Sequence, residues 1–443
     1  MQRIDSHCHI FNITTVGWKA ILGELHGILG MISLFDNLKQ EDLKTKRLKG
    51  KLNKRISRLA ELIKIFTTDS ENILEMLDNH YNGEYAFFPL MFDGDFLLNS
   101  YDDENLSFLK SLLKHKTYKG KKVEKGADFS GLRVDEKLLQ ISHPDRDIIL
   151  SFLDRISGNV LNEKQTKSNK DGFTIQFDEI INIISKDKYE ERVFPFLGVD
   201  PRRKDIKSLV KKYVGKGKPF SGIKVYPPNG FSPMDKKLVG NNSIFEYCEL
   251  NKIPVVTHCS YGGFATPANK IDINGMIIPK GKRIPIVWDG EYVFSKRLTL
   301  KIGKSFDKLV RERAGVLNHP KIWEKVLELH PNLILTFAHF GNGSKSWQEA
   351  ILEILKNSKY PNVFTDISCM SKDLELKRVK RIYVENSKVR GQILYGSDYF
   401  LDMFFNDSFD IYLDRIKNNF SKKEFDQLSI INPSNYMNEW YKI

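Results

Sequence analysis

Short apolar runs alternate with amphipathic stretches along this chain, and this rhythm is its main structural signal. Eight runs, each bounded by Gly, Pro or polar residues, predict short buried strands. They cover 3–6, 85–92, 193–199, 222–226, 253–258, 333–339, 363–367 and 393–397. Between the later runs, apolar residues recur at three- and four-residue steps, for example over 320–329 and 346–356. These stretches predict helices that connect successive strands.

Alternating strands and helices favour a parallel sheet with right-handed crossovers. Eight such units predict an α/β fold, a (β/α)₈ TIM-type barrel, and the rival is a doubly wound open sheet. We expect a single barrel domain over 1–443, with large helical insertions at about 13–82 and 95–191, after strands 1 and 2. A long loop at about 261–318 follows strand 5.

The insertions carry patterns of their own. In the first, apolar residues between Leu48 and Ile63 predict an amphipathic helix with a basic face, and a second helix is expected to begin near Asp69 and Ser70, which are good capping residues. The Gly and Pro content of 262–318 predicts a folded flap over the mouth of the barrel rather than a helix. This flap is either an active-site lid or an inert decoration or subunit contact.

Charge and composition indicate which partners and which cellular compartment to expect. Lys and Arg number 69 against 56 Asp and Glu, a net charge of +13. Much of the excess lies in blocks at 44–58 and 110–125, which we interpret as solvated helix faces, with a nucleic-acid or protein partner as the alternative. No apolar run suggests a membrane span, and the start of the chain leaves no room for a signal peptide. The four scattered cysteines fit reduced thiols in the cytoplasm.

Candidate chemistry lies at the strand ends. His7 and His9 alternate along the first strand, so both project to one face and form half of a tetrahedral zinc-type site. Taken alone, this spacing fits solvated surface histidines equally well. His258, His339 and Asp398 end the fifth, sixth and eighth strands. Only a closed barrel brings these distant strand ends to one mouth, so the five residues together predict a metal site.

These residues resemble the metal-dependent amidohydrolase superfamily. The likeness rests on Asp5-x-His7-x-His9 with the strand-end His258, His339 and Asp398. The segments Gly-Ile-Lys-Val-Tyr-Pro-Pro at 222–228, Thr-His-Cys-Ser at 257–260 and Gly-Ser-Asp at 396–398 are similar to the branch that contains aminocarboxymuconate-semialdehyde decarboxylase. The resemblance covers residues 1–12 and about 193–443, and excludes the two early insertions and much of 261–318.

The resemblance implies roles for individual residues. His7, His9, His258 and Asp398 would bind one divalent ion per chain, most often zinc, which lowers the pKa of a bound water toward ~7. Asp398 would also accept a proton as hydroxide attacks. His339 would polarise the substrate or act as acid and base.

The resemblance also suggests roles for four further residues, each with an alternative. Asp5 would serve as an outer acceptor behind the ligands, or hold a neighbouring backbone group. Lys224 would be either a carboxylated lysine bridging two metals or, as we favour, a contact to substrate or to an outer carboxylate beside one metal. Arg202 is a candidate for gripping an anionic substrate, with helix-start solvation as the alternative. Tyr226 is a candidate pocket wall or a core residue.

The sequence therefore predicts a metal-dependent hydrolase that cleaves a C–N, C–O or lactone bond of a small polar molecule. A non-oxidative decarboxylase using the same cage is the alternative. A nuclease-type phosphodiesterase is disfavoured, because Lys224 stands where such barrels usually have a glutamate. A module that binds a partner through its basic insertions is the non-catalytic alternative, and a homo-oligomer is compatible with every reading.

Overall fold

The computed structural model describes residues 2–16, 57–58, 60–98, 148, 151–152, 171–296, 305–404, 406 and 408–437. Most of the first two insertions lies outside these residues, including nearly all of the basic block at 44–58, the block at 110–125 and most of the amphipathic stretch at 48–63. In the described part of the chain, strands and helices alternate as the apolar rhythm predicts. No helix there is long and apolar enough to cross a membrane.

All eight predicted core strands are present, and two more form a hairpin. The ten strands are β1 (Arg3–Cys8), β2 (Tyr85–Pro89), β3 (Phe196–Val199), β4 (Gly222–Val225), β5 (Val255–His258), β6 (Lys270–Ile277), β7 (Ile286–Val293), β8 (Leu335–Ala338), β9 (Val363–Asp366) and β10 (Ile393–Leu394). Helices of at least seven residues include Ser70–His80, Gly172–Ile184, Ile206–Tyr213, Ile244–Leu250, Ser305–Leu317, Pro320–Leu329, Lys345–Lys356, Asp373–Glu385 and Phe409–Asn419. Shorter helices are Asp95–Leu98, Ser387–Arg390, Lys422–Asp426 and Asn432–Tyr436.

Strand pairing gives two parallel sheets. Six strands are ordered β10-β9-β8-β5-β4-β3, and β1 pairs with β2 separately. Isolated bridges join Leu90, just after β2, to Phe196 in β3, and the Ser6 N–H in β1 donates to the Tyr395 carbonyl just after β10. The parallel βα architecture is confirmed. Among the described residues the regular ladder stops at these two junctions, so the pairing is not one continuous closed ladder.

Side-chain alternation separates two packed layers. In β4, Ile223 and Val225 belong to the large cluster that the helices cover, as alternation predicts. The intervening Lys224 is in register with Val256 of β5, which belongs to a second buried cluster. That cluster takes side chains from both sheets, namely Ile4, Ala86, Phe88, Leu90, Phe194, Phe196, Val256, Ala338 and Leu394, together with Tyr436 and Met437. Lys224 therefore lies on the same side of the strands as this inner cluster.

Local capping explains where several helices begin. The Asp69 side chain accepts a hydrogen bond from the Asn72 N–H, so the helix begins at Ser70 as predicted. Asp171 caps Gly172–Ile184 in the same way, through the Thr174 N–H. His319 caps Pro320–Leu329 by accepting from the Lys321 N–H, and Pro320 occupies the first turn, where its missing N–H costs nothing.

The segment after β5 is only partly as expected. It contains the β6–β7 antiparallel hairpin, which accounts for its Gly and Pro residues. The expectation that the segment lacks helix was wrong, because Ser305–Leu317 is helical. Arg313 on this helix is fully buried and donates to the carbonyls of Thr266 and Ala268. This arginine therefore ties the helix to the chain between β5 and the hairpin.

Candidate metal centre

Four histidines and an aspartate meet at the carboxyl ends of the parallel strands. The Nε2 atoms of His7 and His9 lie 3.3 and 3.2 Å from Asp398 Oδ1. On the other side, His258 Nδ1 lies 3.1 Å from His339 Nε2, and the His7 and His339 ring centroids are 4.8 Å apart. All five side chains are buried. The structure thus brings together residues that are up to 391 positions apart in the sequence (His7 to Asp398).

Backbone features at the strand ends make this convergence possible. A Cβ at Gly396 would lie 2.6 Å from the His7 Cβ, so only glycine allows the chain after β10 to approach β1 this closely. The Asp398 N–H then donates to the His7 carbonyl at 2.7 Å. Asp398 and His339 both have positive φ, at 58° and 65°. Such strained backbone is characteristic of functional sites, where it directs side chains that a regular strand would misplace.

Outer hydrogen bonds fix which nitrogen of each ring is protonated. His9 Nδ1 lies 2.9 Å from the Leu90 carbonyl, and His258 Nε2 lies 2.9 Å from the Gly262 carbonyl. A carbonyl only accepts, so each of these nitrogens carries the proton. The other nitrogen, His9 Nε2 or His258 Nδ1, therefore turns a lone pair toward the centre.

Asp366, which the sequence analysis did not single out, performs the same task for His7. It ends β9, and its Oδ2 lies 2.9 Å from His7 Nδ1. His339 Nδ1 lies 2.8 Å from the Ser368 hydroxyl and 3.4 Å from the Ser368 carbonyl. Both rings are thus held from behind, and both direct Nε2 inward. The sequence did hold a signal for Asp366, since it lies at the end of a predicted strand, as the other site residues do.

Burial and neighbouring charges set the protonation states. Burial lowers the pKa of His339 to about 4 and holds the pKa of His258 well below its ordinary value. Burial would also lower the pKa of His7, but attraction to Asp366 raises it overall. Burial opposes ionisation of Asp398, yet the nearby rings of His339, His7 and His9 keep its pKa well below the usual range. The centre thus combines neutral imidazoles, those of His258 and His339, with an ionised carboxylate.

This donor set fits a divalent cation. His7, His9 and Asp398 offer ligand atoms that all lie within 4.8 Å of one another, and His7, His339 and Asp366 form a second such group. His258 belongs to neither group. Among the described residues, buried His7 Nε2 and Asp398 Oδ1 have no hydrogen-bond partner. Imidazole nitrogens and a carboxylate oxygen that converge without protons are the ligands of zinc-type sites.

Lys224 places a cation beside this cluster. Its side chain is 2% exposed, and its Nζ has no hydrogen-bond partner in the described part of the chain. Burial lowers the pKa of Lys224 to about 8, although Asp366 and Asp398 oppose that shift. A buried amine without a partner is costly to the fold, so its position is a reason to expect a functional role.

Three other predicted site residues make contacts with neighbouring groups of the protein. Asp5 accepts from the Ser397 N–H at 2.9 Å and the Tyr81 hydroxyl at 2.9 Å, and burial raises its pKa to about 6. The Tyr226 ring stacks on His258 at 4.4 Å. Arg202 donates two hydrogen bonds to the Asp200 carboxylate, at 2.9 and 2.6 Å. In this structure the Arg202 fork is therefore occupied by an internal carboxylate.

Comparison with known proteins gives one match to a family and several distant structural likenesses. The model of the family described as "Amidohydrolase" matches residues 182–428, over half of the chain. This range contains His258, His339, Asp366 and Asp398, whereas His7 and His9 lie before it. A search of curated proteins gave no match.

Among solved structures, 5-carboxyvanillate decarboxylase from Sphingomonas paucimobilis is 10% identical, with a TM-score of 0.45 over 99% of each chain. 2,6-Dihydroxybenzoate decarboxylase from Rhizobium is 13% identical, with a TM-score of 0.35 over 60% of this chain and 78% of that one. Dihydroorotase from Campylobacter jejuni is 14% identical, with a TM-score of 0.31 over 61% and 72%. At these identities and scores, no conclusion about the reaction of this chain follows.

Proposed function

Because this chain belongs to the amidohydrolase family of enzymes, we propose that it is a metal-dependent hydrolase acting on a C–N, C–O or lactone bond of a small polar substrate. The family match confirms the resemblance predicted from the sequence motifs. The observation that carries the proposal is the convergence of His7, His9 and Asp398, at 3.2–3.3 Å, with the lone pairs of both imidazoles turned inward.

The fold that we propose for this enzyme is a closed (β/α)₈ barrel. Two junctions support closure: the Leu90–Phe196 bridge between β2 and β3, and the Ser6–Tyr395 hydrogen bond between β1 and the chain after β10. The shared inner cluster, with side chains from both sheets, supports it as well. In such barrels the catalytic groups lie at the carboxyl ends of the strands, where these residues are found.

The resident metal in this proposal is one zinc ion per chain. His7, His9, His258 and Asp398 would hold it, with His258 contributing Nδ1, because Nε2 is committed to the Gly262 carbonyl. When bound, a divalent cation supplies Lewis-acid chemistry, polarising a substrate oxygen and lowering the pKa of a water.

The protein's own groups would then handle the proton and the substrate. His339 is neutral and directs the Nε2 lone pair inward, so it is suited to accept a proton from the attacking water. Asp398 can share this role through a carboxylate oxygen. The Lys224 ammonium lies close enough to interact electrostatically with Asp366 and Asp398, and it would receive a negatively charged substrate group.

One observation favours decarboxylation as a second candidate. Lys224 is a buried amine without a hydrogen-bond partner among the described residues, and a substrate carboxylate would neutralise its ammonium form. The same cage would then bind a carboxylic acid rather than an amide or lactone. Hydrolysis remains first because His339 presents a base, whereas protonating the carbon left by CO₂ loss requires an acid.

Assays of the zinc-loaded protein on two substrate sets separate these reactions. One set contains lactones, cyclic amides and esters, and the other contains hydroxylated aromatic and unsaturated carboxylic acids, with released CO₂ measured. We expect hydrolysis of a member of the first set that His258→Ala abolishes and His330→Ala retains. His330 is a matched control, since it is buried and hydrogen-bonded to the Gly240 N–H, away from the centre. CO₂ release without hydrolysis would establish the second candidate, and activity retained by His258→Ala would contradict both.

A further inference from the structure

Asp366 lies behind the metal centre and makes contacts to two of its histidines. Its side chain is 1% exposed. Oδ2 accepts from His7 Nδ1 at 2.9 Å, and Oδ1 accepts from the backbone N–H groups of His339 at 2.9 Å and Ser368 at 3.1 Å. The Ser368 hydroxyl also donates to Oδ1. One carboxylate thus joins the ends of β1, β8 and β9.

These contacts decide whether Asp366 is a ligand or a support. The residue is close enough to ligate, since it forms a group with His7 and His339 within 4.8 Å. However, Oδ2 is engaged by an imidazole N–H, and Oδ1 already accepts three hydrogen bonds. Its lone pairs are therefore committed to protein donors, and a cation would have to displace them.

The effect on His7 is direct. Because a carboxylate can only accept, the hydrogen bond to Oδ2 places the proton on His7 Nδ1. The lone pair is then on Nε2, which faces Asp398 Oδ1 at 3.3 Å. Without this acceptor, the ring could carry its proton on Nε2 instead and direct an N–H bond into the centre.

The effect on His339 passes through Ser368. The single hydroxyl proton of Ser368 is used in its bond to Asp366, so Oγ can only accept from His339 Nδ1, at 2.8 Å. His339 is therefore protonated on Nδ1, and its Nε2 lone pair faces His258 Nδ1. One buried carboxylate thus sets the tautomer of two rings.

The geometry assigns Asp366 as a positioning residue that fixes the tautomers of His7 and His339, so that His7 presents a lone pair to the divalent cation and His339 presents one to the space beside it. This inference rests on the proposed metal-dependent function, and it adds a residue to the centre that is not itself a ligand. A simpler role for Asp366 would be to neutralise the charge of Lys224 only. In that case, removing the charge of Asp366 would leave the tautomers of His7 and His339 and the metal geometry unchanged.

Asp366→Asn tests the inference, because it keeps the shape but presents an amide N–H₂ that can donate to His7 Nδ1. Asp93→Asn is the matched control. Asp93 is also a buried aspartate, 4% exposed, and it pairs with Arg203 away from the centre. Zinc affinity of each full-length protein is measured by competition with a chromophoric chelator. The Co²⁺ absorption spectrum gives a second readout, one that general loss of stability does not change.

We expect Asp366→Asn to weaken zinc affinity about 10- to 100-fold and to change the Co²⁺ spectrum, while Asp93→Asn retains both. If Asp366→Asn does not fold, Ser368→Ala should still weaken affinity by at least about threefold, because it removes a hydroxyl that holds the Asp366 carboxylate in place behind His7. If Asp366→Asn, or Ser368→Ala in its place, binds zinc with wild-type affinity and gives an unchanged Co²⁺ spectrum, this inference is overturned and the proposed function remains intact. Failure of the wild-type protein to bind any divalent cation would overturn both.

Discussion

His258 Nδ1 and His339 Nε2 face each other at 3.1 Å with both lone pairs directed at the same space. Their outer nitrogens are committed to the Gly262 carbonyl and the Ser368 hydroxyl. Two facing lone pairs repel in a buried site of low dielectric constant, unless positive charge lies between or beside them. The proposed divalent cation would relieve this repulsion.

Metal removal should for this reason destabilise the fold. We expect zinc at about a hundredfold above its Kd to raise the free energy of unfolding by about 2.7 kcal/mol over the chelated protein. Chemical denaturation of chelated and reloaded protein measures this difference. The His258→Ala protein should gain much less from zinc, and an unfolding midpoint that zinc does not change in the wild type would count against the account.

Gly263 should be needed for the loop that holds His258. Its φ is +93°, and a Cβ there would lie 2.5 Å from the Tyr226 hydroxyl and 2.9 Å from His258 Nε2. We expect Gly263→Ala to cost about 1–3 kcal/mol of stability and to weaken metal binding, because the loop must move away from the ring. Gly262→Ala is the adjacent control, since a Cβ there has no neighbour within 4 Å in the described structure. Equal effects of the two substitutions on unfolding and zinc affinity would contradict this role.

Arg203 should contribute to stability rather than to substrate binding. It donates two parallel hydrogen bonds to Asp93, both at 2.9 Å, and also pairs with Asp95 and Asp171. It thus ties the start of the second insertion, and Asp171 within that insertion, to the chain after β3. We expect Arg203→Lys, which loses the planar fork, to lower the free energy of unfolding by about 2–3 kcal/mol. Arg311→Lys, at an exposed site over the Tyr261 ring, is the control and should change it little. If the two substitutions lower the free energy of unfolding equally in urea denaturation, the contacts of Arg203 to the three aspartates do not provide this stability.

His319 should make stability depend on pH. Its side chain accepts the Lys321 N–H, which requires a neutral ring, and burial lowers its pKa from 6.5 to about 4. The folded state therefore resists a proton that the unfolded chain accepts below about pH 6.5. The stabilising contribution is present above that pH and is lost as the pH falls toward 4, by an amount on the order of 2 kcal/mol.

The comparison for this prediction is His319→Ser, which keeps a capping oxygen but does not titrate. The difference in unfolding free energy between wild type and variant should be constant above about pH 7 and should shift against the wild type on acidification. Parallel pH profiles for the two proteins would rule out the role of His319.

The sequence predicted the strands and the convergent residues well, because both depend on local signals. Each apolar run was short and bounded, and His7, His258 and Asp398 each lay at the end of a run. Asp366 was missed because a single acidic residue in the predicted strand 363–367 has no motif partner nearby. Its partner His7 lies 359 residues away, so only the fold reveals the pair.

Other departures have different origins. Arg202, a candidate for binding an anionic substrate, instead forms an ion pair with Asp200. This pair depends on side-chain geometry in a turn, which residue types alone do not determine. The helix Ser305–Leu317 was hidden by the Gly and Pro residues before it, which belong to the β6–β7 hairpin. Arg313 stabilises that helix through carbonyls more than forty residues earlier, a contact with no local pattern.

Metal analysis tests the central claim most directly. Protein purified without added metal, or reloaded with zinc after chelation, is passed over a desalting column and its metal content is measured by mass spectrometry. We predict about one divalent ion per chain in the wild type, and loss of that ion in the His9→Ala protein but not in His330→Ala. Wild-type protein that retains no divalent ion after reloading, or a His9→Ala protein that retains it fully, would contradict the account.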